Sequence, residues 1–277
     1  SSLCLLPLTI VNSVAQEFPF QKGEKLSYLI SWSFIPAGRA TLEIAHQQDG
    51  DPAGAGYHFI MTAHTLPAIA LIYPYQERVD SYTTGDLRHS LKYKKMQESR
   101  HTRDIVVRFN WTTNTAQYSN FGQTENPISV PAETLDPLSA LYYIRSQQLS
   151  PPFTVEHPVT DGKKLSLGKA KFLNKESITI RGKTYQTIKI EPDLRDVKGV
   201  FEKSPGASMY IWLTDDSRQI LVKLKSKVVV GSFIAELIEE DSVLPRDVHP
   251  LDKKGDANTG VQPDQPPESM GSNNNAP

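Results

Sequence analysis

The chain has 277 residues, with 30 basic and 31 acidic side chains for a net charge of −1, and 38% of it is hydrophobic. A near-neutral chain has no excess positive field to displace counterions, so a general nucleic-acid binder is excluded. The length suits one β-rich domain with extended ends, and the modest apolar fraction predicts that one segment stays unfolded.

Leu3 to Val14 is mostly apolar, and Ser13-Val14-Ala15 puts small residues where a signal peptidase cuts. Residues 1–15 are therefore read as a cleaved signal peptide, truncated here because no Met or basic region precedes it, and the run is too short to span a bilayer. The alternative is a short buried strand, against which Pro7 and the polar Gln16-Glu17 count. Cys4, the only cysteine, lies in this segment. A mature chain without cysteine excludes disulfides, thiolate zinc sites and a cysteine nucleophile. The expected localisation is periplasmic.

Gly23 to Ile44 reads as two strands and a turn. Leu26, Tyr28, Ile30 and Trp32 alternate with polar residues, as do Ala40, Leu42 and Ile44, and Pro36-Ala37-Gly38 supplies the turn chemistry. A third strand alternates at Tyr57, Phe59, Met61 and Ala63. Leu66 to Tyr73 is one or two helical turns or a buried connector. Strands are predicted at 77–82, 87–98, 103–111 and 115–121. Asp136 as N-cap and Pro137 at the first helical position start a helix that Ser150-Pro151-Pro152 ends. Its apolar residues (Leu138, Ala140, Leu141, Tyr142, Tyr143, Ile144, Leu149) run nearly all round, which predicts a buried helix. Strands follow at 155–159, 164–173, 177–181 and 184–191, the last two joined by a hairpin at Gly182-Lys183. Ser208 to Thr214 is apolar on both faces, as in a doubly covered strand. Ile220 to Leu224 and a strand ending near Leu237 complete the domain. Residues 242–277 are dominated by Pro, Asn, Asp, Gly and Ser and are read as disordered. The predicted architecture is mainly β: a single β-rich domain over 16–241, a curved antiparallel sheet or half-open β-barrel with one helix packed on its concave face.

Three motifs, G-E-K-L-S-Y with P-A-G-R-A, D-P-L-S-A-L-Y-Y-I-R, and Y-I-W-L-T-D-D followed by G-S-F-I-A-E-L, resemble in their order a bacterial exported family known as domain of unknown function 3108. The resemblance runs from about Gly23 to Leu237. One departure is Ile220-Leu221, where the family usually has a proline after the D-D-x-R turn. The resemblance implies an envelope protein of Gram-negative-type bacteria without an assigned activity, and a fold similar to the curved half-barrels of periplasmic lipoprotein carriers.

No catalytic motif is present. The histidines (His46, His58, His64, His89, His101, His157, His249) show no ligand spacing and read as surface or rim residues. Asp215-Asp216 reads as a turn former, with a polymer hydrolase as the least favoured reading. No metal or cofactor is expected. Arg88, Lys92, Lys94, Lys95, Arg100, Arg103 and Arg108 form a basic run. It reads as the watery side of edge strands or as a rim meeting anionic lipid at a membrane surface. Tyr28, Trp32, Phe59, Trp111, Tyr142, Tyr143, Tyr210 and Trp212 fall at inward positions. They form either a closed core or the lining of a cavity for an acyl chain, with Tyr28, Trp32, Phe59, Tyr142, Tyr143 and Trp212 as the candidate ligand-binding set. The expected role is non-enzymatic binding of a hydrophobic envelope component, a lipid or lipoprotein. The alternative is an assembly partner that binds an envelope protein through a sheet edge or the tail.

Overall fold

The computed structural model describes residues 18–193, 208–227 and 231–241. The signal segment 1–15, with Cys4, and the tail 242–277 lie outside the described residues.

The strands of the first half are β1 (Lys25–Trp32), β2 (Ile35–Ala45), β3 (Tyr57–Thr65), β4 (Gln76–Thr83), β5 (Ser90–Glu98), β6 (Arg103–Asn110) and β7 (Thr115–Asn120), with a one-turn helix α1 (Pro67–Ala70) between β3 and β4. Two short strands, β8 (Gln123–Thr124) and β9 (Ile128–Ser129), precede helix α2 (Pro137–Ser146). The second half holds β10 (Thr154–Thr160), β11 (Leu165–Ile180), β12 (Lys183–Pro192), β13 (Ser208–Thr214), β14 (Leu221–Lys227) and β15 (Ser232–Asp241). They make one antiparallel sheet in the order β10-β11-β12-β13-β14-β15-β1-β2-β3-β4-β5-β6-β7-β8, with β9 on β7. Two meanders are thus fused where the last strand pairs with the first.

Strand pairing does not close the sheet. Its two ends are bridged instead by the segment 130–136: the Val130 N–H donates to Asn114 O at 2.9 Å, the Ser90 N–H to Thr134 O at 3.2 Å, and Leu135 makes a parallel bridge to Val159. The β10–β11 turn also reaches across, since a Cβ on Gly162 would lie 2.7 Å from Val107 and 3.2 Å from Tyr118. The predicted fold class, a curved and open antiparallel sheet with a helix on one face, describes this chain.

Two local expectations are corrected. The first hairpin turns at Ser33-Phe34, with Ser33 at φ 56°, and Pro36-Ala37-Gly38 lie inside β2 at an irregularity in its pairing with β1. Gly38 is needed there for close approach, because a Cβ would meet the His64 carbonyl oxygen at 2.6 Å. Helix α2 is not apolar all round. Its buried stripe is Leu138, Ser139, Tyr142 and Arg145, a serine and an arginine among them, and it ends before Leu149.

Candidate functional site

Helix α2 divides the inner face of the sheet into a filled half and an open half. The filled half is held by a buried ion pair. Arg145 and Glu24 are both fully enclosed, and the guanidinium donates to the two carboxylate oxygens at 2.6 and 3.1 Å and to the Gln219 carbonyl at 3.0 Å. Phe20 and Tyr142 lie against the guanidinium, 5.2 and 5.4 Å away. The Phe59 and Tyr142 rings stack at 3.8 Å, and the Tyr28 hydroxyl donates to the Leu221 carbonyl at 2.8 Å. Burial pushes the Tyr28 and Tyr142 phenols well above their usual range, so both are neutral and act as ring surface.

The same face continues along the strands to the Ser33-Phe34 end, but there the described residues cover it only in part. Register puts Ile30 opposite Ala235, Ala40 opposite both Tyr28 and Ala63, and Leu224 opposite both Ala235 and Ile211. Ile30, Ala40, Ala63, Leu224 and Ala235 share the face of buried Tyr28 and Ile211 yet are only half-buried, as are Met61 and Met209. The face ends at Trp32, opposite Phe233, and Trp32 is 43% exposed. On β4 and β5 it carries the polar groups Glu77, Lys95 and Gln97; Glu77 accepts from the Tyr75 hydroxyl, pairs with Lys95 at 2.8 Å and stands opposite Gln97. The open half is thus a mostly apolar surface with a charge-compensated wall, suited to an aliphatic guest and not to a charged one.

The six candidate residues do not line one void. Tyr28, Phe59 and Tyr142 meet in the filled half. Trp32 has the predicted inward parity but stands at the rim. Trp212 is on the opposite face, between its cross-strand neighbours Lys189 and Lys223, whose ammoniums lie 5.1 and 5.8 Å from its ring, and its Nε1 donates to Glu176 at 2.6 Å. Tyr143 is half-buried beside His157, with ring centroids 4.3 Å apart. Sequence reasoning had Ile30, Ala40, Met61 and Ala63 as ordinary inward residues. Their signal was a run of small or flexible side chains where the neighbouring half carries Phe and Tyr.

The basic run is dispersed. Arg88 pairs with Glu133, Lys92 lies over Tyr82, Lys95 faces inward, and Arg100 sits at the β5–β6 turn over Tyr73, 5.8 Å from its ring. Asp215 pairs with Lys175 at 2.7 Å, while Asp216 accepts from the backbone N–H of Arg218 and Gln219, the geometry of a turn former. Among the described residues, no group of three or more His, Cys, Asp or Glu could hold a metal.

Two histidines read as surface residues are buried, His58 and His157. His58 packs on Tyr82 and lies 2.9 Å from Asp80, which Arg78 also grips through two nitrogens at 2.7 and 2.8 Å. Burial alone would raise the Asp80 carboxyl, but the hydrogen bonds from His58 and Arg78 outweigh it and lower the group from 3.8 to about 2. A depressed folded-state value stabilises the fold fully above pH 3.8, and that stability is lost as the pH falls toward 2. The expected contribution is about 2 kcal/mol. Asp80→Asn should flatten the fall in urea-unfolding free energy over that window. An unchanged slope would assign acid sensitivity to other carboxylates.

The family model described as "Protein of unknown function (DUF3108)" matches residues 27–238. A comparison with curated proteins gives no match. Among solved structures, the fold is similar to a β-barrel-like protein of domain of unknown function DUF1849 from Brucella abortus, with a TM-score of 0.50 and 10% identity over 79% of this chain and 96% of that one. At that identity the likeness concerns the fold alone.

Proposed function

The chain belongs to the DUF3108 family, whose function is unknown, and we propose that it is an exported, periplasmic, non-enzymatic protein that binds a hydrophobic component of the cell envelope, a lipid or a lipidated protein. The observation that carries this reading is the half-buried inner surface of Ile30, Ala40, Met61, Ala63 and Leu224, which continues the core register but is only partly covered by the described residues toward Trp32 and Phe233. A protein that needed only a core would fill these positions, since each buried large apolar side chain contributes roughly 1.5–3 kcal/mol. Export is supported by the apolar run ending in Ser13-Val14-Ala15 and by the absence of cysteine after Cys4.

The test is a titration with a fluorescent fatty-acid probe in vesicle-free buffer. The wild-type chain should bind. Ile30→Asp, which places a charge in the open half, and Ala63→Phe, which fills it, should each weaken binding at least about tenfold, equivalent to about 1.4 kcal/mol. Trp212→Phe, on the other face, should leave binding unchanged. No probe binding by the folded wild-type chain, or full binding by Ile30→Asp, would move the weight to an assembly role in which the chain holds an envelope protein.

A further inference from the structure

Eleven large hydrophobic residues are exposed among the described residues, and all of them lie at one end of the sheet. Phe34 (96% exposed) is on the β1–β2 turn, and Leu71 (88%) and Ile72 (77%) follow α1 between β3 and β4. Phe121 is on the β7–β8 turn, and Trp32, Ile35 and Phe233 are at the adjoining strand ends. The antiparallel order makes these connections neighbours. The Ser33 N–H donates to Ser232 O at 2.7 Å, the Leu66 N–H to Ala37 O at 2.9 Å, and Arg100 lies over Tyr73.

Charge follows the same division in the first half of the chain. There the connections 33–34, 66–75, 99–102 and 121–122 contain no Asp or Glu, and their one formal charge is the cation of Arg100, flanked by Glu98 and Arg103; the β10–β11 turn at the same end adds Asp161 beside Lys163 and Lys164. The connections at the other end, 46–56, 84–89, 111–114, 181–182 and 215–220, carry Asp49, Asp51, Asp86, Asp215 and Asp216 and no exposed large hydrophobic residue. We propose that the Phe34–Leu71–Phe121 end is a membrane-docking rim that seats these tips in the interfacial layer of a bilayer carrying anionic headgroups. Separate apolar tips on short turns reach into the headgroup and upper acyl region, aromatic rings prefer that layer, and first-half turns that carry arginine and no carboxylate suit a negative surface. The rim opens beside Trp32 and Phe233, so a guest leaving the bilayer would enter the open inner half directly. The docking surface stands on the tips alone and does not require that guest.

The experiment is co-sedimentation of the purified chain with extruded vesicles of phosphatidylethanolamine and phosphatidylglycerol, set against vesicles of phosphatidylcholine alone. Binding is expected to the anionic vesicles and to be weaker on the neutral ones. The Phe34→Asp/Leu71→Asp double variant should lose at least about tenfold in vesicle affinity. Both side chains are almost fully exposed, so its unfolding midpoint should not move. Arg100→Glu should weaken binding on anionic vesicles only, and Ala53→Asp at the opposite end should change nothing. The double variant should still bind the fatty-acid probe, and Ile30→Asp should still bind vesicles, so the two readings fail separately. Absence of vesicle binding by the wild-type chain, or full binding by the double variant, overturns the rim. So does a double variant that only abolishes self-association in sedimentation velocity, which would make a second copy the occupant.

Discussion

Arg145→Met is expected to destabilise the domain by about 3–5 kcal/mol in denaturant unfolding, because it strands the Glu24 charge in a site closed to water. The two groups are separated by 121 residues, yet the guanidinium is satisfied by the Glu24 carboxylate and the Gln219 carbonyl together, with Arg218 O further off at 3.4 Å. Arg145→Lys keeps the charge but has no planar fork to meet a carboxylate and a carbonyl at once, so a loss of about 2 kcal/mol is expected. The pair itself need not be net stabilising. Taking two ions out of water costs nearly as much as their attraction returns, so Glu24→Leu/Arg145→Met should recover to within about 1–2 kcal/mol of wild type. A double variant no better than Arg145→Met would mean that the ions contribute shape and hydrogen bonds that an apolar pair cannot replace. A single variant within about 1 kcal/mol of wild type would mean that water reaches Glu24.

Glu24 comes from G-E-K-L-S-Y, Arg145 closes D-P-L-S-A-L-Y-Y-I-R, and Arg218 and Gln219 follow Y-I-W-L-T-D-D after Ser217. The three motifs that carried the family resemblance therefore converge on one buried contact. Nothing in periodicity showed this. Alternation finds strands because the pleat repeats every two residues, and it placed most strands, the strand at Ser208–Thr214 and the Asp136-Pro137 helix start. It does not say which strands become neighbours, so the pairing of β15 with β1 and the buried Arg145–Glu24 contact were not legible.

The same limit explains the misplaced aromatics. A strand apolar on both faces, such as β13, offers no phase to tell inside from outside, and Trp212 fell on the outside under lysine and glutamate cover. Trp32 had the correct phase, but its exposure depends on being the last residue of β1, where no further strand length covers it. The turn misassigned to Pro36-Ala37-Gly38 shows a third cause. These residues have turn chemistry, and the structure uses it for a pairing irregularity and a close strand approach instead. Leu66–Tyr73 was legible as apolar but not as exposed, because composition alone does not distinguish a connector under a sheet from a tip beyond it.

Asp136→Ala is expected to cost about 3 kcal/mol, more than the roughly 1 kcal/mol of an ordinary helix cap. One carboxylate oxygen accepts the N–H groups of Leu138 and Ser139 at 3.0 Å each, as an N-cap does. The other accepts three hydroxyls, Ser81 on β4, Ser90 on β5 and Ser139 on α2, at 2.6–2.7 Å, and Ser81, Ser90, Ser139 and Asp136 are all fully buried. Alanine leaves those hydroxyls with too few acceptors in a dry site, at about 1–3 kcal/mol for each one left unpaired. Asp136→Asn should be milder, about 1–2 kcal/mol, since its carbonyl keeps the cap and the hydroxyls can turn to accept from its amide. Asp136 ties the start of α2 to β4 and β5, and Arg145 ties its end to the entry of β1 and the β13–β14 turn. The helix is thereby pinned at both ends by polar groups, which fixes where the filled half stops and the open half begins. If Asp136→Ala costs only about 1 kcal/mol, the hydroxyls have found water, and the start of α2 is less enclosed than this geometry requires. If it costs about 3 kcal/mol while Ser81→Ala costs about 1 kcal/mol, the carboxylate is the common acceptor that holds the helix to the sheet.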